Sequence, residues 1–171
     1  SESTLEDIGN TPMDNITPFS KKYYQINKLV FFVEYQTEAL EMLIHPKFAH
    51  LEVGTISDPD HHFFVSTKDE ILSLWIDGIH SGSWEQKNDH YLSGKFSMQI
   101  LQKIYKKEED EWMGVFHAAG ISDGKNCIVF FGDSGNGKST LSAILMANGF
   151  DVLSDDFLPV ESNSGLVCRF P

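Results

Sequence analysis

The sequence predicts a mixed α/β chain: a small β-rich unit followed by an α/β core. Three observations predict it. Short runs rich in β-branched and aromatic residues, separated by turn signals, fill the first half. An apolar period of four residues replaces them near residue 91. Further on, a glycine-rich loop stands between an apolar run and a second helical pattern.

Residues 1–20 are polar, contain Pro12 and Pro18, and predict a loose tail. Residues 21–90 form the β-rich unit. Tyr24 to Tyr35 reads as one strand, and Glu38 to Ile44 as a short helix stopped by Pro46. Strand-like pieces follow at His50 to Val53, His62 to Thr67, Ile71 to Ile76 and His80 to Trp84. Ser57-Asp58-Pro59-Asp60 and Asp77-Gly78 separate them, so a mostly antiparallel arrangement is expected.

Residues 91–171 are expected to form the second unit. Leu92, Phe96, Ile100 and Ile104 mark one face of a helix from about Tyr91 to Lys107. Trp112 to Phe116 and Cys127 to Phe131 are short apolar runs, the form of parallel strands buried on both faces, with the Asp123-Gly124 turn between them. Leu141, Ile144 and Leu145 mark a helix that ends at Asn148-Gly149. Phe150 to Ser154 is a further strand, ending at Asp155 and Asp156; Leu166 to Phe170, after the turn Ser162 to Gly165, is the last.

Charge narrows the function. The chain carries 25 acidic against 13 basic residues, a formal −12, which argues against nucleic acid or an anionic membrane as partner. The short basic run Lys103 to Lys107 is answered at once by Glu108, Glu109, Asp110 and Glu111. No apolar stretch approaches the ~20 residues that span a bilayer. The acidic start S-E-S-T-L-E-D is unlike a signal peptide, and the missing initiator Met predicts processing or an expression remnant. Cys127 and Cys168 form no C-x-x-C pair or disulfide framework; Cys127 is expected buried, and a reducing cytoplasm is the expected location.

The glycine-rich loop carries the chemistry. Gly132, Asp133, Ser134, Gly135, Asn136, Gly137, Lys138, Ser139 and Thr140 complete the pattern G-x-x-x-x-G-K-[ST] with one residue to spare. Glycines admit positive φ and close approach of backbone to phosphate. Successive N–H groups then form an anion nest, and the following helix adds its positive end. Lys138 is expected to reach the β- and γ-phosphates, and the Ser139 hydroxyl to ligate Mg²⁺. A nucleoside triphosphate, ATP with Mg²⁺, is the expected ligand.

Two adjacent acids end the strand after the loop's helix. At that position, 23 residues after Gly132, Asp155 and Asp156 should face the nucleotide. One can hold Mg²⁺ and the other accept a proton from an attacking hydroxyl. His117, 15 residues before Gly132, stands at another strand end, where it would orient an acid. His61, His62, His80 and His90 match no zinc spacing and read as surface β-residues.

From His117 to about Pro159 the chain resembles the catalytic domain of HPr kinase/phosphorylase and its relatives. The shared features are His117, G-D-S-G-N-G-K-S, the turn containing Gly149, and L-S-D-D, at matching intervals. The resemblance implies a P-loop kinase core and a bacterial ATP- and Mg²⁺-dependent kinase acting on a serine-like hydroxyl. It implies Lys138 and Ser139 on phosphate and metal, Asp155 as the metal-supporting acid, and Asp156 near the accepting hydroxyl beside His117. It covers about a quarter of the chain; the first 110 residues resemble no part of the classical enzyme's N-terminal domain. Phosphoenolpyruvate carboxykinase is similar in the loop, but its acid pair falls closer to it. Since the chain ends at Pro171 and holds a single arginine, Arg169, it is expected to be a fragment lacking part of a kinase site. The alternatives are a non-catalytic nucleotide-binding or regulatory module and a carboxykinase-like enzyme. The acceptor is an unidentified hydroxyl-bearing molecule, and self-association is left open.

Overall fold

Alternation of side chains decides the first sheet. The computed structural model describes residues 17–132 and 135–170. It contains two units, dividing between Ile104 and Tyr105. In the first, β1 (Ser20–Ile26) and β2 (Leu29–Tyr35) form a hairpin. Asn27, at φ 54°, turns the chain, so the single strand expected from Tyr24 to Tyr35 is in fact two. Asparagine tolerates that left-handed conformation because its short polar side chain bonds locally; an apolar run on both sides hides the turn.

Helix α1 (Glu38–Phe48) starts at Thr37, whose hydroxyl accepts from the Leu40 N–H at 3.3 Å. It runs through Pro46 rather than stopping before it. The lost N–H costs little there, since Pro46 lies in the last turn and its i−4 partner, Met42, is exposed. The chain continues through β3 (Glu52–Val53), β4 (His61–Lys68), β5 (Ile71–Ile76) and β6 (Ile79–Glu85). Sheet order is β3-β1-β2-β4-β5-β6, antiparallel except for β2 and β4, which α1 connects as a parallel crossover. Asp77 and Gly78, at φ 51° and 80°, make the two-residue turn between β5 and β6.

One face of this sheet is the core. Tyr24, Phe31, Val33, Tyr35, Phe63 and Val65 alternate inward and are fully buried. Helix α2 (Asp89–Tyr105) lays Leu92, Phe96, Ile100 and Leu101 on them, with the Phe96 ring 5.4 Å from Phe48 and 4.9 Å from Phe63. This packing places α2 in the first unit, so the division falls after residue 104 and not near residue 90. His90 belongs to α2 and is no β-residue. His61 and His62, in β4, are held by carboxylates: His61 Nδ1 to Asp77 Oδ2 and His62 Nε2 to Glu34 Oε2, each 2.8 Å.

The second unit holds β7 (Trp112–Phe116), β8 (Ala118–Ser122), β9 (Cys127–Phe131), helix α3 (Lys138–Ala147), β10 (Asp151–Ser154) and β11 (Leu158–Glu161). Strands β10, β8 and β9 make one antiparallel sheet in that order; β11 and β7 pair antiparallel in another. The parallel sheet expected here is therefore corrected. The sequence A-A-G-I-S, which carries no long apolar run, supplies the central strand β8, and its Ala118, Ala119 and Ile121 are buried. Strand β9, expected buried on both faces, is an edge strand with Ile128 and Phe131 exposed, and Cys127 is half-buried. The expected last strand reduces to one bridge, Val160 to Val167, while β11 precedes the turn at Gly165. Among the described residues, no helix is long and apolar enough to cross a membrane.

Candidate phosphate-binding site

Topology explains why the candidate residues meet. Strands β9 and β10 both run antiparallel to β8, so they run the same way on either side of it. The ends of β9 and β10 and the start of β8 thus share one sheet edge. Register fixes this: Ala118 lies opposite Phe131, and Ser154 opposite Gly120. Gly132 follows Phe131, Asp155 follows Ser154, and His117 precedes Ala118. An antiparallel sheet with a strand inserted between the loop strand and the acid strand delivers the same juxtaposition expected of a parallel one.

The loop itself turns on glycine. Gly135 and Gly137 adopt φ 88° and 81°, where L side chains are strained. Gly137 is the N-cap of α3, and its carbonyl accepts the first helical bond, from the Leu141 N–H at 2.9 Å. The N–H groups of the first turn have no acceptor within the helix itself and stand beside the loop, with the helix's partial positive charge behind them. Asp133 and Ser134 lie outside the described residues.

Two side-chain pairs stand at this edge. Ser139 Oγ donates to Asp155 Oδ2 at 2.7 Å. His117 Nδ1 lies 2.9 Å from Asp156 Oδ1, both side chains 63% exposed. Lys138 Nζ donates to the Gly132 carbonyl at 2.5 Å, across the base of the loop. A cavity of about 430 Å³ gathers the loop and helix residues Gly135, Gly137, Lys138, Ser139 and Thr140 against His117, Asp155 and Asp156. Gly132 and Asn136 belong to the loop without lining that cavity.

Chemically, the cavity offers one ammonium and a helix N-terminus for an anion, and oxygen donors for a hard cation at Ser139 and Asp155. Among the described residues, no group of three or more His, Cys, Asp or Glu is placed to hold a metal on its own. Phe116 and Phe131 escaped the sequence reading as site neighbours. Their apolar runs gave no signal that these two rings would be exposed, at 38% and 68%. The chain matches no protein-family model, no curated protein and no solved structure.

Proposed function

We propose that the chain contains the nucleotide site of an ATP- and Mg²⁺-dependent kinase that transfers the γ-phosphate to a serine-like hydroxyl. The observation that carries this reading is the pairing of Ser139 with Asp155 and of His117 with Asp156 against one P-loop cavity. A phosphate-binding loop alone serves many purposes. A loop with one carboxylate on its Ser hydroxyl and a second, exposed carboxylate held by a histidine suits phosphoryl transfer.

Each residue then has a task. The N–H groups of the loop and Lys138 bind and orient the β- and γ-phosphates. Ser139 and Asp155 fit a Mg²⁺ ion, which takes few protein oxygens and keeps most of its waters. A metal held there would supply positive charge against the phosphate oxygens. Asp156 accepts the proton of the attacking hydroxyl as the new O–P bond forms and ADP departs. His117 fixes the orientation of that carboxylate through their 2.9 Å contact.

The test is transfer of labelled γ-phosphate from ATP into components of a lysate of the source cell, catalysed by the full-length protein. Asp156→Asn keeps size and loses basicity, so transfer is expected to fall by about 10²–10⁴-fold, the usual contribution of a general base. Unchanged transfer in that variant sinks the mechanism.

A further inference from the structure

Asp155 and Asp156 are neighbours in sequence, yet both line one cavity and each meets a different partner there, Ser139 for the first and His117 for the second. In an extended strand, neighbouring side chains leave on opposite faces. The acids escape that rule because β10 ends at Ser154, and the chain bends through them before β11 begins at Leu158. One side chain closes the bend. Ser154 Oγ accepts from the Phe157 N–H at 3.1 Å and donates to the Phe157 carbonyl at 2.7 Å. A single hydroxyl, 5% exposed as a residue, thus spans the two acids and ties both main-chain groups on their far side.

A second residue holds the same bend from its two flanks. Val152 lies opposite Ile121 and Ser154 opposite Gly120, so Leu153 is an extra residue that bulges β10 just before the acids. The Leu153 carbonyl accepts from the Phe170 N–H at 3.0 Å. The Phe170 ring, itself buried, packs on Phe157 with centroids 4.4 Å apart. Leu153 precedes the acids and Phe157 follows them. Fixed ends leave the bend one internal fastening, the Ser154 hydroxyl, which decides how the two carboxylates are presented between them.

We infer that Ser154 is a positioning residue of the site, in a role that rests on the kinase reading given above. Its hydroxyl sets the bend that delivers Asp155 to the metal position beside Ser139 and Asp156 to His117 and the accepting hydroxyl. A plain strand-end cap is the alternative. Positioning is favoured by what the two bonds hold in place. With both gone, the bend can relax toward extended chain, where one of two adjacent acids must turn away from the cavity. A general base acts only within hydrogen-bond reach of its proton, and small misplacements of reacting groups are costly.

Three readouts on the full-length protein separate the two roles: the transfer rate at saturating ATP and Mg²⁺, the Mg²⁺ midpoint, and the affinity for a non-hydrolysable ATP analogue at saturating Mg²⁺. Ser154→Ala is expected to lower the rate and raise the midpoint, each by about 10–100-fold, the usual effect of losing a group that orients a ligand. Analogue affinity should stay, because the loop and Lys138 are untouched. Ser154→Thr keeps the hydroxyl and should restore both quantities. Ser154→Cys keeps the size with weaker hydrogen bonding; it should fall between, and it carries the test where the Ala chain does not fold. In an Asp156→Asn background, with no base left to position, Ser154→Ala should lower the saturating rate little further, whereas a merely structural residue cuts it by the same factor in both backgrounds. Parental rate and midpoint per folded molecule, a folded Thr variant as impaired as Ala, or equal losses in the two backgrounds overturns the inference. Loss of analogue affinity in the Ala chain does so too, since the whole site has then moved. A parent that transfers nothing removes the kinase reading instead. The Mg²⁺ midpoint is then read from analogue binding: a shift in the Ala or Cys chain keeps Ser154 as the residue that positions Asp155, and an unshifted midpoint sinks the inference.

Discussion

Ser139 and Asp155 meet through a 2.7 Å hydrogen bond between the first turn of α3 and the end of β10. The bond joins two segments that the sequence separates by 16 residues, and it presents two oxygens side by side. An Asn at 155 keeps an acceptor for Ser139 but loses the charge a divalent cation needs. Asp155→Asn should therefore raise the Mg²⁺ concentration for half-maximal transfer by roughly tenfold or more, in the range for interactions with charged groups. Titrating transfer against Mg²⁺ measures it; an unshifted midpoint removes Asp155 from the metal.

Lys138 should carry much of the ATP affinity. Its ammonium already stands over the loop, bonded to the Gly132 carbonyl. Lys138→Ala is expected to weaken Mg²⁺–ATP binding by about 1.5–3 kcal/mol, the cost of a lost hydrogen bond to a charged group. Calorimetry on a folded variant decides, and unchanged affinity would take the lysine off the phosphates.

The loop was the most legible part of the chain, because its chemistry is local: positive-φ glycines, a helix N-terminus and a lysine in fixed order. Helices α2 and α3 were legible for the same reason, since an apolar stripe at helical spacing is a local signal. Direction was not. Whether β9 and β10 are neighbours or flank a third strand depends on Ala118 to Ser122, a stretch too small and too short to register as a strand. The hairpin at Asn27 and the exposed Phe131 escaped for a related reason. An apolar run looks the same whether it turns back, lies buried or forms a sheet edge.

Gly120 is expected to tolerate no side chain. A Cβ there would stand 2.4 Å from Leu158 Cδ1, and Leu158 is fully buried. Gly120→Ala should destabilise the chain by about 1–3 kcal/mol, as overpacking does. Shortening the neighbour removes the clash, so Gly120→Ala with Leu158→Ala should cost less than the two single changes added together. Denaturant unfolding of all four chains tests this; strict additivity would mean that the two side chains never competed for space.

Tyr35, Tyr24 and His45 form a hydrogen-bonded chain leading out of the first unit's core. The two hydroxyls are 2.9 Å apart, and Tyr24 Oη is 2.9 Å from His45 Nδ1. Both tyrosines are fully buried. Tyr24 stands in the middle with a partner on each side, so Tyr24→Phe strands two polar groups. Tyr35→Phe strands none completely, because Tyr24 keeps His45. The first should therefore cost more than the second, by about 1–3 kcal/mol for the buried hydroxyl left alone. Burial pushes both hydroxyls above their ordinary pKa of 10.0; the hydrogen bond from Tyr35 opposes this at Tyr24 without cancelling it. A raised folded pKa means that the folded state holds its protons while the unfolded chain loses them. This part of the stability is complete below pH 10.0 and falls as pH rises beyond it, toward the folded values. Denaturation midpoints measured between neutral pH and the alkaline limit should drop for the parent, and the drop should be shallower in the double Phe variant, which has no buried phenol to titrate. Equal slopes in the two chains would mean that the hydroxyls ionise as freely folded as unfolded, and that the chain from Tyr35 to His45 holds no protons against solvent.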